Sequence, residues 1–593
     1  MSDNITVNEK LYILRNNMKE SGVDIYIVPT SDFHMSEYVS PYFQGRKYMS
    51  GFTGSAGTLI VTIEGAYLYT DGRYFIQAKN ELEGSEIVLM RMNDKGVPDE
   101  EEFVESLCYE GIVIGFDGRV VSDKYGRKIE KIAKSHGGKI KADEDLVGKV
   151  WKERPALDFE PIYVLDEKYT GESVCDKLER LRARMEEVKA KTFVLTSLDD
   201  QAWLFNMRGN DIKFNPVFLS YSIITKDSVT VYTGIDIPVD CKKNNITNKS
   251  YFDFYEDLKE IRGRVIVDLA VSSFLVSENL KNAEIVDIEN PTTGMKAVKN
   301  STEIENLKKC HIWDGVAVTK YMYWLKTNVG KTEITEMSGS DYLEELRRQQ
   351  GNLKDLSFDT ISAYGENAAM MHYSANENCN AKIKPEGMYL VDSGGQYFEG
   401  TTDITRTFVL GPVTDEMKKN FTLVAKGMLN LMNVKFLYGC TGINLDILAR
   451  GALWKEGIDY KCGTGHGVGY MLNVHEGPNS FRWRDLGKRH NCVLEAGMVT
   501  TDEPGVYIEG KYGIRTENEL VCVELEENEY GKFMGFETIT YAPIDLDGID
   551  TQYLEKSDIE MLNDYHKLVW EKISPYLSED EKNWLKIYTR QIQ

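Results

Sequence analysis

The chain has no uninterrupted apolar run of membrane-spanning length, which argues against a transmembrane helix. It also has no basic tract. Acidic residues outnumber basic ones 94 to 70, for a formal net charge of −24 and a pI near 5.0. Nucleic acids and anionic membranes both carry negative charge, so neither is an expected partner. The same balance identifies no substrate, because an acidic surface most often serves solubility. The opening residues, MSDNITVNEKLYILRNN, lack a basic segment followed by an apolar run, so no secretory signal is expected. The nine cysteines stand singly from Cys108 to Cys522, and no cysteine pairs point to a structural zinc. They do not form a disulfide framework either. Reduced thiols in a cytoplasmic protein are the simplest reading. The triplet Asn245-Ile246-Thr247 is then an incidental glycosylation pattern. There is no low-complexity segment and no long flexible linker.

What is present is a globular composition, 42% hydrophobic, in a chain of 593 residues. That length exceeds one ordinary core, and three or four domains are expected. Residues 1–155 open with an amphipathic helix carrying Leu11, Leu14 and Met18 on one face and ending at Gly22. VDIYIVPTSD reads as a strand. MSGFTGSAGTLIVT and GAYLYTDGRYFIQA read as further strands, and KYGRKIEKIAK as a helix, giving an α/β layer. Residues 156–300 repeat that opening. Leu178, Leu181, Arg182 and Met185 stand in the same relation as Leu11, Leu14, Arg15 and Met18, and FVLTS follows as IVPTS does. Matching order over this length predicts an internal duplication.

A third region, 301–535, begins with a helix. Thr302 and Glu305 form a capping-box pattern ahead of Leu307. KTEITEMSGSDYLEELRRQQ, DEMKKNFTLVAKGMLNLM and NLDILARGALWKEG supply three more helices, alternating with strand-like segments. An antiparallel sheet covered by helices on one side is expected. The tail, 536–593, is too rich in aromatics for a disordered segment and should dock on the body.

The strand-like segments of the third region carry the chemistry. VDSGGQYFEGTTDITRTF holds Asp392 and Asp403, GTGHGVGYMLNVHEGP holds His466 and His475, and VTTDEPGVYIEGKYGIRTENEL holds Glu503 and Glu517. Two Asp, one His and two Glu form an oxygen-rich set suited to hard divalent ions such as manganese or magnesium. Five ligands exceed the need of one structural zinc, and a pair of ions sharing carboxylates fits better. Asp403 stands an odd number of residues from Asp392. On an unbroken strand the two would face opposite ways, so the Gly394-Gly395 segment must contain a hairpin or bulge. Glu503 and Glu517 flank PGVYIEGKYG, whose glycines and proline punctuate a hairpin that returns both acids to one place. Singly, an acid beside a turn glycine reads as a cap or a solvated turn residue. Five such coincidences in three glycine-rich motifs do not.

These motifs resemble those of the two-metal "pita-bread" peptidases, which include methionine aminopeptidases, prolidases and Xaa-Pro aminopeptidases. FDTISAYGENAAMMHY, HGVGYMLNVHEGP, DEPGVYIEGKYGIRTEN and LDDQAWLFNMRGNDIKFNPVF resemble in particular the long, three-domain P type of Xaa-Pro aminopeptidase. The likeness covers essentially the whole chain. It implies an α/β protein in which two creatinase-type N-terminal modules precede an α+β pita-bread catalytic domain, with the C-terminal extension packed on that domain.

By the same resemblance two divalent ions, manganese by preference, are expected per subunit. Asp392 would chelate one, Asp403 and Glu517 would bridge both, and His466 and Glu503 would complete the second. Two such ions lower the pKa of a shared water. Glu503 would also carry a proton from that water to the leaving nitrogen. His372 and His475 would reach the substrate carbonyl and stabilise a developing oxyanion. Arg515, two residues before Glu517, would share its side of a strand and hold a ligand carboxylate. His311 and His490 lack comparable context and read as structural. Peptides beginning Xaa-Pro are the implied substrates, and a homodimer joined through the N-terminal modules is the implied assembly. The Xaa-Pro bond is a tertiary amide without an N–H, which general proteases handle poorly. Three other readings compete: a dipeptide-restricted prolidase, a non-catalytic pita-bread binding protein, and creatinase. Retention of all five ligands weighs against the last two.

Overall fold

The structure is a computed structural model and describes residues 5–238, 245–487, 489 and 491–593. The chain divides into two compact units, Met1–Val164 with Glu172–Thr292, and Leu165–Gly171 with Thr293–Gln593. No helix among the described residues is long and apolar enough to cross a membrane.

The first unit holds both expected modules. Helix α1 (Val7–Ser21) starts at a Thr6–Glu9 capping box and ends at Gly22 in the left-handed region, φ 61°. It buries Leu11, Leu14 and Met18 completely, each worth roughly 1.5–3 kcal/mol of transfer free energy. The sheet beneath it contains β1 (Ile25–Pro29), β2 (Thr58–Thr62), β3 (Ala66–Thr70), β4 (Ile87–Arg91), β5 (Val113–Phe116) and β6 (Lys139–Lys141), in the order β4-β3-β2-β1-β5-β6. Two stretches expected as strand are helical. Met49 and Ser50 end the short helix Gly45–Ser50, and FIQA lies in Phe75–Glu81. Asp71 caps the turn after β3 through Arg73, so the chain reverses before Phe75, and Phe75 and Ala78 then bury at helical spacing.

The second module repeats this arrangement. Helix α2 (Val174–Glu187) buries Leu178, Leu181 and Met185. Strands β7 (Thr192–Leu195), β8 (Ser220–Thr225), β9 (Val229–Thr233), β10 (Ile246–Ser250), β11 (Gly263–Val267) and β12 (Ala283–Asp287) take the order β10-β9-β8-β7-β11-β12. Strand directions match as well. β1 is antiparallel to β2 and parallel to β5, and β7 is antiparallel to β8 and parallel to β11. Even the helix anchors correspond. Arg15 Nε donates to Thr62 O at 2.9 Å, and Arg182 Nε donates to Thr225 O at 3.1 Å.

The second unit begins with α3 (Ser301–Asn328), which is capped by Asn300 paired with Glu303. Thr302 and Glu305, expected as the capping box, lie inside the helix. An Asn cap starts a helix as well as Thr does, and the Asn300 register places Leu307 and Cys310 in the core. Then come α4 (Glu336–Arg348), β13 (Ile361–Tyr364), β14 (Met388–Ser393), β15 (Gly395–Tyr397), β16 (Gly400–Thr401), β17 (Ile404–Val409), α5 (Asp415–Met432) and α6 (Gly442–Trp454). They are followed by β18 (Gly465–Gly467), β19 (Glu476–Phe481), β20 (Val499–Asp502), β21 (Gly505–Ile508), β22 (Tyr512–Arg515), β23 (Asn518–Asn528) and β24 (Gly531–Thr538). Strands β13-β14-β17 form one antiparallel sheet, and β24-β23-β20-β18-β19 lie side by side in another. In the tail, α7 (Lys556–Ile573) buries Leu562, Tyr565 and Val569 in the same cluster as Phe421 and Met428 of α5 and Ile514 of β22. This helix of the tail thus shares a buried cluster with α5 and β22.

Candidate metal centre

Asp392 lies near the end of β14, opposite Thr405 of β17 and Ile361 of β13. The chain then forms the β15–β16 hairpin and returns Asp403 to the head of β17. Glycine is required at the crossing. A Cβ on Gly394 would stand 1.8 Å from the Thr402 carbonyl oxygen. Of the hairpin or bulge that the odd spacing of the two acids required, the structure contains a hairpin.

His466 is the middle residue of β18. A Cβ on the preceding Gly465 would lie 1.8 Å from Thr501 O, so the missing side chain lets β18 approach β20. His466 Nε2 lies 3.5 Å from Asp403 Oδ2 and 3.5 Å from Glu503 Oε1. Glu503 follows β20 and is fixed by its amide, which donates to Thr464 O at 2.8 Å. Past the β21–β22 hairpin, which pairs Gly505 with Arg515, comes Glu517. Thr405 Oγ1 donates to its Oε2 at 2.7 Å. One ligand atom each from Asp403, His466 and Glu517 lies within 4.8 Å of the others. The His475 ring meets His466 edge to face, with centroids 4.3 Å apart.

Arg515 Nη2 donates to Asp392 Oδ2 at 2.5 Å. This contact does not run along a strand shared with Glu517, as the two-residue spacing led one to expect. Arg515 ends β22, whereas Glu517 lies between β22 and β23, so alternation along one strand does not relate them. His372 sits on the segment joining β13 to β14, where the neighbouring Tyr373 donates to buried Glu336 at 2.7 Å. His490 lies outside the described residues.

His311 is buried, and its Nε2 stands 3.0 Å from Glu519 Oε1. Burial lowers its pKa, but the Glu519 charge outweighs that and raises it well above the ordinary value. The same Glu519 oxygen accepts the Asp403 amide at 2.7 Å. His311 is therefore interior, yet one residue removed from the acids. Glu519 is the acid that sequence reading missed. Its signal was the spacing of TENEL, which sets a further carboxylate two residues beyond Glu517.

The electrostatics call for cations. Burial, and then neighbouring carboxylates, push the pKa values of Asp403 and Glu517 well above the usual range. Asp392 Oδ1 and Glu519 Oε2 are buried without a hydrogen-bond partner. One guanidinium and the His311 imidazole cannot neutralise Asp392, Asp403, Glu503, Glu517 and Glu519 together. An oxygen-rich donor set with orphaned buried oxygens fits divalent ions.

Comparison with known proteins agrees with this reading. The model of "Metallopeptidase family M24" matches residues 305–524, and that of the "C-terminal region of peptidase_M24" matches 532–592. "Creatinase/Prolidase N-terminal domain" models match twice, at 10–141 and 153–303. A "Probable Xaa-Pro aminopeptidase P" of Paracoccidioides brasiliensis is 41% identical over 100% of both chains. One of the same name from Coprinopsis cinerea is 37% identical over 99% of each. The crystal structure of the X-prolyl aminopeptidase of Caenorhabditis elegans, described as a cytosolic enzyme with a di-nuclear active site, superposes with a TM-score of 0.94. It is 33% identical and covers 99% of this chain and 100% of that one. Two creatinase-type modules, a catalytic domain with converging acids and full-length likeness to these enzymes lead to one assignment: the chain belongs to the M24 metallopeptidases, in their long Xaa-Pro aminopeptidase group.

Proposed function

We propose that this protein is a metal-dependent aminopeptidase that releases the N-terminal residue from peptides with proline in second position. The observation that carries the reading is the convergence of Asp403, His466 and Glu517 within 4.8 Å, with Glu503 3.5 Å from His466. Asp392, Asp403, His466, Glu503 and Glu517 would hold two divalent ions, with manganese the proposed metal. Bound there, the ions supply a water of lowered pKa and polarise the scissile carbonyl. The protein supplies the rest. Glu503, partly accessible, takes the proton from the water and delivers it to the proline nitrogen as that nitrogen leaves. That delivery matters because the scissile nitrogen carries no proton of its own. His475 and His372 donate to the carbonyl oxygen as negative charge develops on it. Arg515 holds and aims Asp392 through its hydrogen bond to Oδ2.

The proposed domains are 1–155 and 156–300 for the two modules, 301–535 for the catalytic domain and 536–593 for the docked extension. The repeated strand order and the spans of the matching models support this division. A cytoplasmic homodimer is proposed on likeness to the Caenorhabditis elegans enzyme, described as cytosolic, and on the family's usual assembly. Its test is light scattering at micromolar concentration, where a monomeric mass would contradict it.

A peptide panel separates this activity from a prolidase. Xaa-Pro-Yaa tripeptides and longer peptides should be cleaved after Xaa, and their Xaa-Ala counterparts should not. Cleavage confined to Xaa-Pro dipeptides would overturn the assignment.

A further inference from the structure

Glu476 follows His475 directly and opens β19, opposite Gly467 of β18. Its carboxylate is gripped at both oxygens. Lys296 Nζ donates to Oε2 at 3.0 Å, and Lys299 Nζ donates to Oε1. All three residues are buried, with 7%, 4% and 6% exposure for Lys296, Lys299 and Glu476. The lysines are themselves anchored. Val298 bridges to Met498 at the foot of β20, and the Lys299 amide donates to Gly497 O at 3.0 Å. Asn300 then caps α3. Segment 296–299 is thus stapled to the start of β20, whose far end leads into Glu503, while its side chains grip the residue next to His475.

A core needs no such triad for stability, since well-packed apolar residues of similar volume often serve as well or better. What the charges add is a fixed direction. A carboxylate held at both oxygens by two buried ammonium groups cannot rotate or slide along its strand. The His475 imidazole, which meets His466 edge to face, inherits that constraint through one peptide bond.

We propose that the Lys296–Glu476–Lys299 clamp positions His475 beside the metal centre, which makes both lysines positioning residues for the hydrolytic step. The proposal rests on the reading of His475 as a donor to the substrate carbonyl. A donor displaced by a fraction of an ångström loses much of its value to the transition state while leaving substrate binding and the metals in place.

The test uses the full chain reconstituted with manganese and the variants Lys299→Met, His475→Ala and their combination. Four quantities are read: kcat, KM on an Xaa-Pro tripeptide, bound metal per chain, and the His475 ring position in crystal structures. Losing an oxyanion donor outright costs about 10²–10³-fold in kcat, so a misplaced one should cost about tenfold or more. Lys299→Met should therefore lower kcat with little change in KM and with full metal content. On the His475→Ala background it should add less than about twofold, because the two changes act through one group. Its crystal structure should show the imidazole displaced from His466. Independent multiplication of the two effects, or an unmoved imidazole, would overturn the proposal. If His475→Ala itself kept near-normal kcat, the substrate role of His475 would fall, and the ring displacement alone would decide the clamp. If Lys299→Met does not fold, the triple variant Lys296→Met/Lys299→Met/Glu476→Gln leaves no unpaired buried charge. It is read by the same kinetic and crystallographic outcomes.

Discussion

Arg515 and Asp392 lie 123 residues apart in sequence and meet through a 2.5 Å contact from Nη2 to Oδ2. The same guanidinium donates through Nε to Thr405 Oγ1 at 3.0 Å and through Nη1 to Tyr507 OH at 2.6 Å. Thr405 in turn donates to Glu517. One arginine therefore orients a proposed ligand of one ion directly and a proposed bridging ligand through a single hydroxyl.

Arg515→Lys replaces a rigid fork with a point donor that cannot serve all three partners. Metal affinity should fall about 10–100-fold, as for other groups that orient metal ligands. Competition titration against a chelator measures this. Unchanged affinity would contradict the role given to Arg515.

Gly394→Ala would force a Cβ to within 1.8 Å of Thr402 O, at the crossing that brings Asp403 back to Asp392. The expected cost is about 1–3 kcal/mol, as for other overpacked interiors. Urea unfolding of the metal-free protein measures it. Metal binding should weaken in the same variant. Native stability together with native metal affinity would show that the hairpin does not set the ligand geometry.

His566 is wholly buried in α7, and its Nε2 accepts the Ile544 amide at 3.1 Å. Burial, aided by the nearby Arg406 charge, pushes its pKa down to about 3 from an ordinary 6.5. The folded state thus holds this imidazole neutral while the unfolded chain takes up a proton below pH 6.5. Stability is full above that value and declines as pH falls toward 3, by about 1.4 kcal/mol per pH unit within the window. His566→Gln keeps an acceptor but cannot titrate. Its unfolding free energy should lose that part of the slope between pH 6.5 and 5. A slope identical to that of the parent protein would contradict the assignment.

The two modules and the four acids were legible in the sequence because each rests on local signals. Leu11, Leu14 and Met18 repeat at helical spacing in Leu178, Leu181 and Met185. Asp392, Asp403, Glu503 and Glu517 flank glycine turns that permit few conformations. Features built by distant pairing were less visible. Arg515 was expected to act along a strand, but it acts across to β14. Glu519 had only the spacing of TENEL as a local signal, since its meaning comes from His311 and the Asp403 amide, both far away in sequence. Asn300 displaced Thr302 as the helix cap because both residues suit the position and only packing of Leu307 and Cys310 chooses the register. The stretch 75–78 read as strand because Tyr74 and Phe75 suit either state, and the Asp71–Arg73 turn decided it.

His475→Ala and Glu503→Gln separate binding from proton transfer. His475→Ala should retain both metals and lower kcat about 10²–10³-fold, with kcat/KM falling in parallel. Glu503→Gln removes a charge and a proton acceptor at once, so it should abolish turnover and weaken one metal site. Loss of metal from His475→Ala, or near-normal turnover in it with metal bound, would reverse the assignment.

The central claim is a two-ion site that cleaves ahead of proline. The direct measurement strips the purified protein with a chelator and then titrates it with manganese, following bound metal and cleavage of an Xaa-Pro tripeptide together. Activity should be absent at zero metal, rise with occupancy and reach its maximum at two ions per chain. Full activity in protein shown to be metal-free, or two tightly bound ions with no cleavage of any Xaa-Pro peptide, would contradict it.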